Sequence, residues 1–317
     1  MNRRDTLLAI GVATLWGFNF WVIDWGMRGI PPLLFVALRF AIVSLAAFVV
    51  PKPDLPWRSI LGVGLFMSLG HFGFLYASMA AGLQPGIAAL LLQGQVVFTI
   101  VIAAVALRER PTQPQVIGVG LGMVGLAVVG FGRGGNAPLI AVLLCLAGAL
   151  SWGVGNVIAR AAGRVAPSGI AHTGAARRGQ AMQGLSLTVW SSLVVPLPAL
   201  GGAVAMDGWN GVMAGLESFG WRSLISTLYT ALLCTLVGNA VFTTLLARHP
   251  SASVVPWVLL APAVAMTSAW LLLDQGLSRG EFVGGLALVL GVLITMRGRS
   301  SRVPYLRRRR FGYGGSI

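Results

Sequence analysis

The most constraining feature of the sequence is an apolar segment, residues 84–110, that is long enough to cross a lipid bilayer. The hydrocarbon core of a bilayer is about 30 Å thick, and a helix needs roughly 20 apolar residues to span it. The segment starts beside a proline, contains Gln93 and Gln95 near its middle, and ends in the charged run 108–110. A second segment, residues 249–276, repeats this layout with prolines near its middle. The two segments indicate an internal duplication.

The rest of the chain has the composition of a membrane protein. Hydrophobic residues make up 56% of the 317 residues and charged residues only 10%, whereas soluble domains carry about 25% charged residues. The apolar residues form blocks separated by short polar connections, so we predict an all-α integral membrane protein. The predicted spans are 7–25, 31–50, 60–80, 86–107, 115–131, 138–159, 183–205, 224–246, 252–272 and 280–297.

Ten spans divide into two five-helix repeats, which we place at residues 1–135 and 136–297. An odd number of spans per repeat turns the second repeat upside down, and such inverted repeats enclose a substrate cavity near the membrane midplane in many transporters. A basic connecting loop is expected near 160–182, and a short interfacial helix within 206–223. Residues 298–317 form a basic tail.

The basic residues predict the orientation. Of 23 Lys and Arg residues, 18 fall on one side of the predicted spans and four on the other, while Arg39 lies inside a span. Because positive loops stay inside, we expect both termini in the cytoplasm of a bacterial cell, with the protein in its inner membrane. The first span is long and aromatic and lacks a cleavage site, so it is expected to be retained.

The net charge of +15 does not indicate nucleic-acid binding, because the charges lie in membrane-flanking loops and the tail. The tail either contacts anionic lipid headgroups or is a disordered segment that only determines the topology. Cys145 and Cys234 fall inside predicted spans and are interpreted as core residues. We find no phosphate loop, catalytic triad or metal-ligand spacing, and therefore expect no cofactor, no metal and no enzyme activity. A lipid-modifying membrane enzyme is a distant alternative, since the acidic residues are scattered.

Polar residues inside the spans are the candidate substrate-binding residues. Trp16 and Asn19 in the first span match Trp152 and Asn156 in the sixth, and each pair lies on one helical face. The two asparagines either line a cavity symmetrically or join helices by hydrogen bonds.

Arg39 is costly to bury and should face the bundle or water. It either binds a substrate carboxylate or forms structural bonds to helix carbonyls. Gln93 and Gln95 lie about 200° apart on a helix, so we expect one to bind substrate and the other to contact a neighbouring helix. His71, in the third span, is a cavity donor, a proton site or a structural histidine.

The second half contributes Asn239 and Trp257 as candidates. Pro256 and Pro262 can free backbone carbonyls near the membrane centre. No carboxylate lies deep in a span, so the sequence gives no sign of a carboxylate proton relay.

Several motifs resemble the EamA family of the drug/metabolite transporter superfamily over about residues 5–297, and within it the exporters of O-acetylserine and cysteine. The motifs are WGFNF at 16–20, LRF at 38–40, LLLQGQVVFT at 90–99, RER at 108–110 and LLLDQGLSRGEFVGG at 271–285. The second repeat departs from the family pattern at Gln275 and Gly276, where Glu-Arg is usual. His71 also departs, because those exporters have Gln there.

The resemblance implies two inverted repeats around a central cavity and export of small polar metabolites, such as cysteine or O-acetylserine, by alternating access. Other amino acids, nucleosides or cationic drugs are alternative cargo. The sequence leaves open whether the protein is a monomer or a homodimer.

Overall fold

The computed structural model describes residues 1–131, 138–162, 174–249, 251–276 and 278–297, and these residues are helical apart from short connections. Much of the predicted connecting loop and all of the tail lie outside the described residues. We label the helices as follows. They are α1 (Arg3–Gly26), α2 (Pro32–Leu45, extended by a 3₁₀ turn at Ala46–Phe48), α3 (Trp57–Val63, Gly64–Gly70 and His71–Ala80), α4 (Pro85–Leu92 and Gly94–Ala106), α5 (Gln113–Phe131), α6 (Leu139–Ala161), α7 (Gly174–Ser192 and Pro196–Glu217), α8 (Trp221–Leu228, Tyr229–Val237 and Gly238–Arg248), α9 (Ser251–Val258 and Leu260–Leu273) and α10 (Arg279–Arg297).

These ten helices correspond to the ten predicted spans. Eight segments are long and apolar enough to cross a membrane, and α2 and α5 contain two shorter apolar helices. Large apolar side chains on the outer surface are exposed, for example Val105 at 78% and Leu197 at 79%, as expected of helices that face lipid. The all-α membrane fold predicted from the sequence is confirmed.

The seventh span begins earlier than the sequence indicates. Helix α7 starts at Gly174, so the predicted loop at 160–182 includes helix at its C-terminal end. The early part of α7 is polar but rich in Ala, Arg and Gln, which favour a helix without favouring lipid. At Gly208 the backbone leaves the helical conformation (φ 72°, ψ 167°). The residues that follow form the short helix expected within 206–223.

Local signals explain where the helices start and stop. The Asn2 side chain accepts a hydrogen bond from the Asp5 amide at 2.8 Å and so caps α1. Prolines occupy the first turn of α2 and α4, where a missing amide costs nothing. Just past α4 and α9, Arg108 and Asp274 adopt left-handed backbone conformations, with φ of 52° and 55°.

The two halves interlock. Helix α1 packs against α8 and α9 of the second half, and α6 packs against α3 and α4 of the first. Three further pairs join corresponding helices of the two halves: α2 with α7, α4 with α9, and α5 with α10. This is the pattern that a two-fold relation between the halves produces.

Two irregularities also occur in matched pairs. The third helix of each half contains a π-helical segment, Gly64–Gly70 in α3 and Tyr229–Val237 in α8. The fourth helix of each half is broken by a turn, at Gln93 in α4 and at Leu259 in α9. π turns and helix breaks are uncommon and often mark functional sites, so we take these four positions as the starting point for the site.

Helices α5 and α10 approach closely through glycines. A Cβ atom on Gly118 would lie 2.4 Å from the Gly291 carbonyl oxygen and 2.5 Å from Thr295 Cγ2. Side chains larger than hydrogen therefore cannot be accommodated without moving one helix. Gly120, two residues further along α5, has no such neighbour within 4 Å.

We predict that Gly118→Val lowers the unfolding free energy by about 1–3 kcal/mol, because it overpacks this seam. Gly120→Val is the matched control, since it places the same β-branched residue on the open face of the same helix. The measurement is the thermal denaturation midpoint of each variant in detergent. Equal midpoints for the two variants would contradict the packing described here.

Candidate functional site

The candidate site lies where the two broken helices meet. The first part of α4 packs against the second part of α9. At Gln93 the amide nitrogen bonds to the Leu90 carbonyl, three residues back, and the Leu259 amide bonds likewise to the Pro256 carbonyl. Both helices therefore depart from regular α-helical bonding. Broken helices that cross at mid-membrane can line a polar site in a transporter.

Three side-chain amides near these breaks form no hydrogen bond among the described residues. They belong to Asn19, Gln93 and Gln95. Asn19 and Gln93 are only 7% and 6% exposed, and the Asn19 Oδ1 atom is completely buried without a partner. We expected one of the two glutamines to contact a neighbouring helix, but neither side chain forms a hydrogen bond to one among the described residues. Unbonded buried amides are rare because they are costly, which makes Asn19 and Gln93 candidates for binding a ligand.

Asn156 differs from its counterpart Asn19. Its Nδ2 atom donates to Thr99 Oγ1 on α4 at 3.2 Å, and Thr99 in turn donates to the Gln95 carbonyl at 2.6 Å. Asn156 therefore joins α6 to α4, which was the alternative to cavity lining. The two asparagines were expected to form a symmetric pair, but their hydrogen bonds do not match.

Each π segment has a carbonyl that accepts a hydrogen bond from the opposite half. Ser151 on α6 donates to the Phe66 carbonyl at 2.7 Å, and Trp16 Nε1 on α1 donates to the Cys234 carbonyl at 3.0 Å. Trp16 is thus held as a hydrogen-bond donor between helices, with its ring 5.2 Å from that of Phe242. The sequence analysis missed Ser151, since a single serine in a span carries no distinctive signal.

Arg39 lies at the centre of a network of hydroxyl groups. It is 2% exposed, and its guanidinium donates to the Tyr76 hydroxyl at 2.6 Å and to Thr235 Oγ1 at 2.9 Å. The guanidinium carbon also lies 4.1 Å from the ring centre of Phe72. Arg39 therefore connects α2, α3 and α8. It bonds to side-chain hydroxyls rather than to the helix carbonyls expected of a structural arginine.

His71 follows the π segment of α3 directly. Its Nδ1 atom lies 3.0 Å from the Gly148 carbonyl, so the neutral ring donates to α6 through this atom in one tautomer. The rings of Phe72 and Trp152 lie 4.7 and 4.6 Å from the imidazole. Among the described residues, no side chain bonds to the other imidazole nitrogen.

The second-half candidates have different surroundings. The Asn239 side chain donates to the Thr235 carbonyl of its own helix at 2.8 Å. Trp257 packs on a small apolar cluster formed by α1, α8 and α9, together with Phe242. Phe242 packs on the same cluster and also pairs with the Trp16 ring.

Comparison with known proteins now adds to this geometry. The EamA-like transporter family matches residues 5–131 and 139–297, which is nearly the whole chain. The chain belongs to this family. It is therefore a multi-pass membrane transporter and not an enzyme.

Two curated relatives of this EamA-like transporter cover almost its full length. One, from Escherichia coli K12, is 33% identical over 301 residues, which is 94% of this chain and 96% of the relative. The other, from Salmonella typhimurium LT2, is 32% identical over 310 residues, 96% and 99% of the two chains. Both are named "Probable amino-acid metabolite efflux pump".

A solved crystal structure also has a similar fold. It aligns with a TM-score of 0.57 over 93% of this chain and 96% of that chain, at 17% sequence identity. At this identity the similarity concerns the fold alone.

We predict that Trp16→Phe speeds alkylation of Cys234 by N-ethylmaleimide about twofold to tenfold. The substitution removes one hydrogen bond worth about 0.5–1.5 kcal/mol, and opening between α1 and α8 becomes easier by that amount. The measurement is the labelling rate in a Cys145→Ala background, because Cys145 and Cys234 are the two cysteines of the chain.

Trp152→Phe is the control for this labelling experiment. The indole nitrogen of Trp152 has no bonded partner among the described residues, so its loss should leave the rate for Cys234 unchanged. Identical rates for wild type and Trp16→Phe would show that the indole does not hold the π segment.

Proposed function

We propose that the chain exports small polar metabolites of the amino-acid class, including cysteine and O-acetylserine, across the bacterial inner membrane. The observation that carries the proposal is the set of unbonded amides, Asn19, Gln93 and Gln95, near the breaks in α4 and α9. Amides recognise the carboxylate, hydroxyl and ester groups of such metabolites by hydrogen bonds. The names of the two curated relatives support the same class of cargo.

The substrate-binding residues fall into two groups in this proposal. Asn19, Gln93 and Gln95 supply direct hydrogen bonds, and His71 offers one free ring nitrogen. Trp257 forms part of the wall. The remaining candidates, Trp16, Arg39, Asn156 and Asn239, are engaged with other helices or with their own and act from behind the contact surface.

Transport proceeds by alternating access between two inverted repeats, residues 1–135 and 136–297, with both termini in the cytoplasm. The paired π segments and paired breaks support the repeat division. The excess of basic residues on one side supports the orientation. Net cations such as cationic drugs are disfavoured as cargo, since each of the eight carboxylates lies in a loop, near a helix end or at the Gly208 kink.

Efflux from cells tests this function. Cells that express the protein are loaded with labelled cysteine or O-acetylserine, and we expect faster efflux than from cells without it. Gln93→Leu and Gln95→Leu should each slow this efflux about twofold to tenfold, the effect of losing one hydrogen bond to the substrate. Gln183→Leu, at an exposed position of α7, is the matched control.

Two negative results of the efflux experiment would have different meanings. If wild-type protein is present in the membrane but efflux of both compounds is unchanged, this cargo is wrong. If efflux is faster and neither glutamine substitution slows it, the cargo stands and the assignment of the glutamines is wrong.

A further inference from the structure

The positive charge of Arg39 has only neutral partners. Tyr76 and Thr235 accept its two hydrogen bonds, and Phe72 provides an aromatic face. The Nε atom is completely buried and has no hydrogen-bond partner in the part of the chain that the structure describes. Arg39 is itself only 2% exposed, so the guanidinium is shielded from bulk solvent.

No carboxylate neutralises this charge. All eight Asp and Glu residues of the chain lie in connections, near helix ends or beside the kink at Gly208. Among the described residues, the ion pairs involve Arg28, Arg160, Arg248 and His249, and none involves Arg39. The guanidinium therefore gives the core of the bundle a net positive potential.

A continuous set of contacts leads from the guanidinium to the candidate site. Phe72 stands between the guanidinium and the rings of His71 and Trp152. Next to Trp152 on α6, Gly153 packs directly on α4, where a Cβ atom would lie 3.0 Å from the Phe98 Cβ and 3.1 Å from the Thr99 amide nitrogen. Thr99 bonds to the Gln95 carbonyl.

Salt cannot screen this charge as it screens charges at a surface, because the interior excludes ions. At an effective dielectric constant of about 20, a unit charge roughly 10 Å away changes the affinity for another unit charge about tenfold. At such a distance a substrate would be influenced by the charge of the guanidinium without touching it.

We propose that Arg39 acts as a charge filter, so that the transporter prefers carboxylate-bearing metabolites with no net positive charge. N-acylated amino acids, which are net anions, are the best-favoured class, free amino acids follow, and the corresponding amines are rejected. This inference rests on the proposed function, because it specifies the substrate of the same site. Arg39 is a positioning and selectivity residue here, not a contact residue.

Three labelled probes that share the same thiol group but differ in net charge test the filter. They are N-acetylcysteine, cysteine and cysteamine, which carry net charges of −1, 0 and +1 at neutral pH. Transport is measured in proteoliposomes under reducing conditions, and binding is measured in parallel by quenching of tryptophan fluorescence. For wild-type protein we expect affinity to fall in that order, with at least about a tenfold difference between the first probe and the last.

Arg39→Gln should remove this preference by reducing the ratio of affinities about tenfold or more, while the protein still binds cysteine. Tyr76→Phe and Thr235→Val serve as controls for a merely structural role. They remove the two hydroxyl partners but keep the charge, so they should lower thermal stability and preserve the order of the probes. If Arg39→Gln does not fold, the filter is still overturned when wild-type protein shows no preference among the probes, or when either hydroxyl variant reverses their order.

The outcomes separate the two proposals. Binding in the expected order without transport supports the charge filter and contradicts the proposed export function. Equal affinity for cysteamine and N-acetylcysteine overturns the filter whether or not either is transported. The filter is also wrong if the Gln variant keeps the wild-type order, and both proposals are wrong if none of the probes binds at millimolar concentration.

Discussion

A backbone carbonyl that leaves the regular helical pattern inside a membrane must find a donor in the protein, because lipid offers none. In this transporter the donors come from the opposite half. Ser151 satisfies a carbonyl of the π segment in α3, and Trp16 satisfies one in α8. Helix α6 thus completes the first half and α1 completes the second. These two hydrogen bonds are among the contacts that interlock the halves.

The sequence predicts the spans well because residues that face lipid are apolar, so each span appears as an apolar block. Ten apolar blocks became ten helices, and the polar and proline residues near the middle of the fourth helix of each half marked the breaks at Gln93 and Leu259. The start of α7 could not be predicted in the same way. Hydropathy reports where a helix meets lipid, whereas the polar segment from Gly174 is helical by propensity.

The candidate site was less predictable for a different physical reason. Sequence identifies polar side chains inside spans, but their role depends on what faces them across a helix interface. Trp16 and Asn156 meet a carbonyl and a hydroxyl on other helices, whereas Asn19 and Gln93 meet no bonding partner. The π segments have no residue signature, and Ser151, which bonds to one of them, therefore could not be recognised in advance.

The second π segment connects the charge of Arg39 to the packing of the halves. Thr235, which accepts from the guanidinium, lies in this segment, one residue after Cys234, whose carbonyl is held by Trp16. If α1 moved away from α8, the Cys234 carbonyl would lose the indole as a donor, and one constraint on the neighbouring Thr235 would be lost. The surroundings of the buried charge therefore depend on the same contact that joins the two halves.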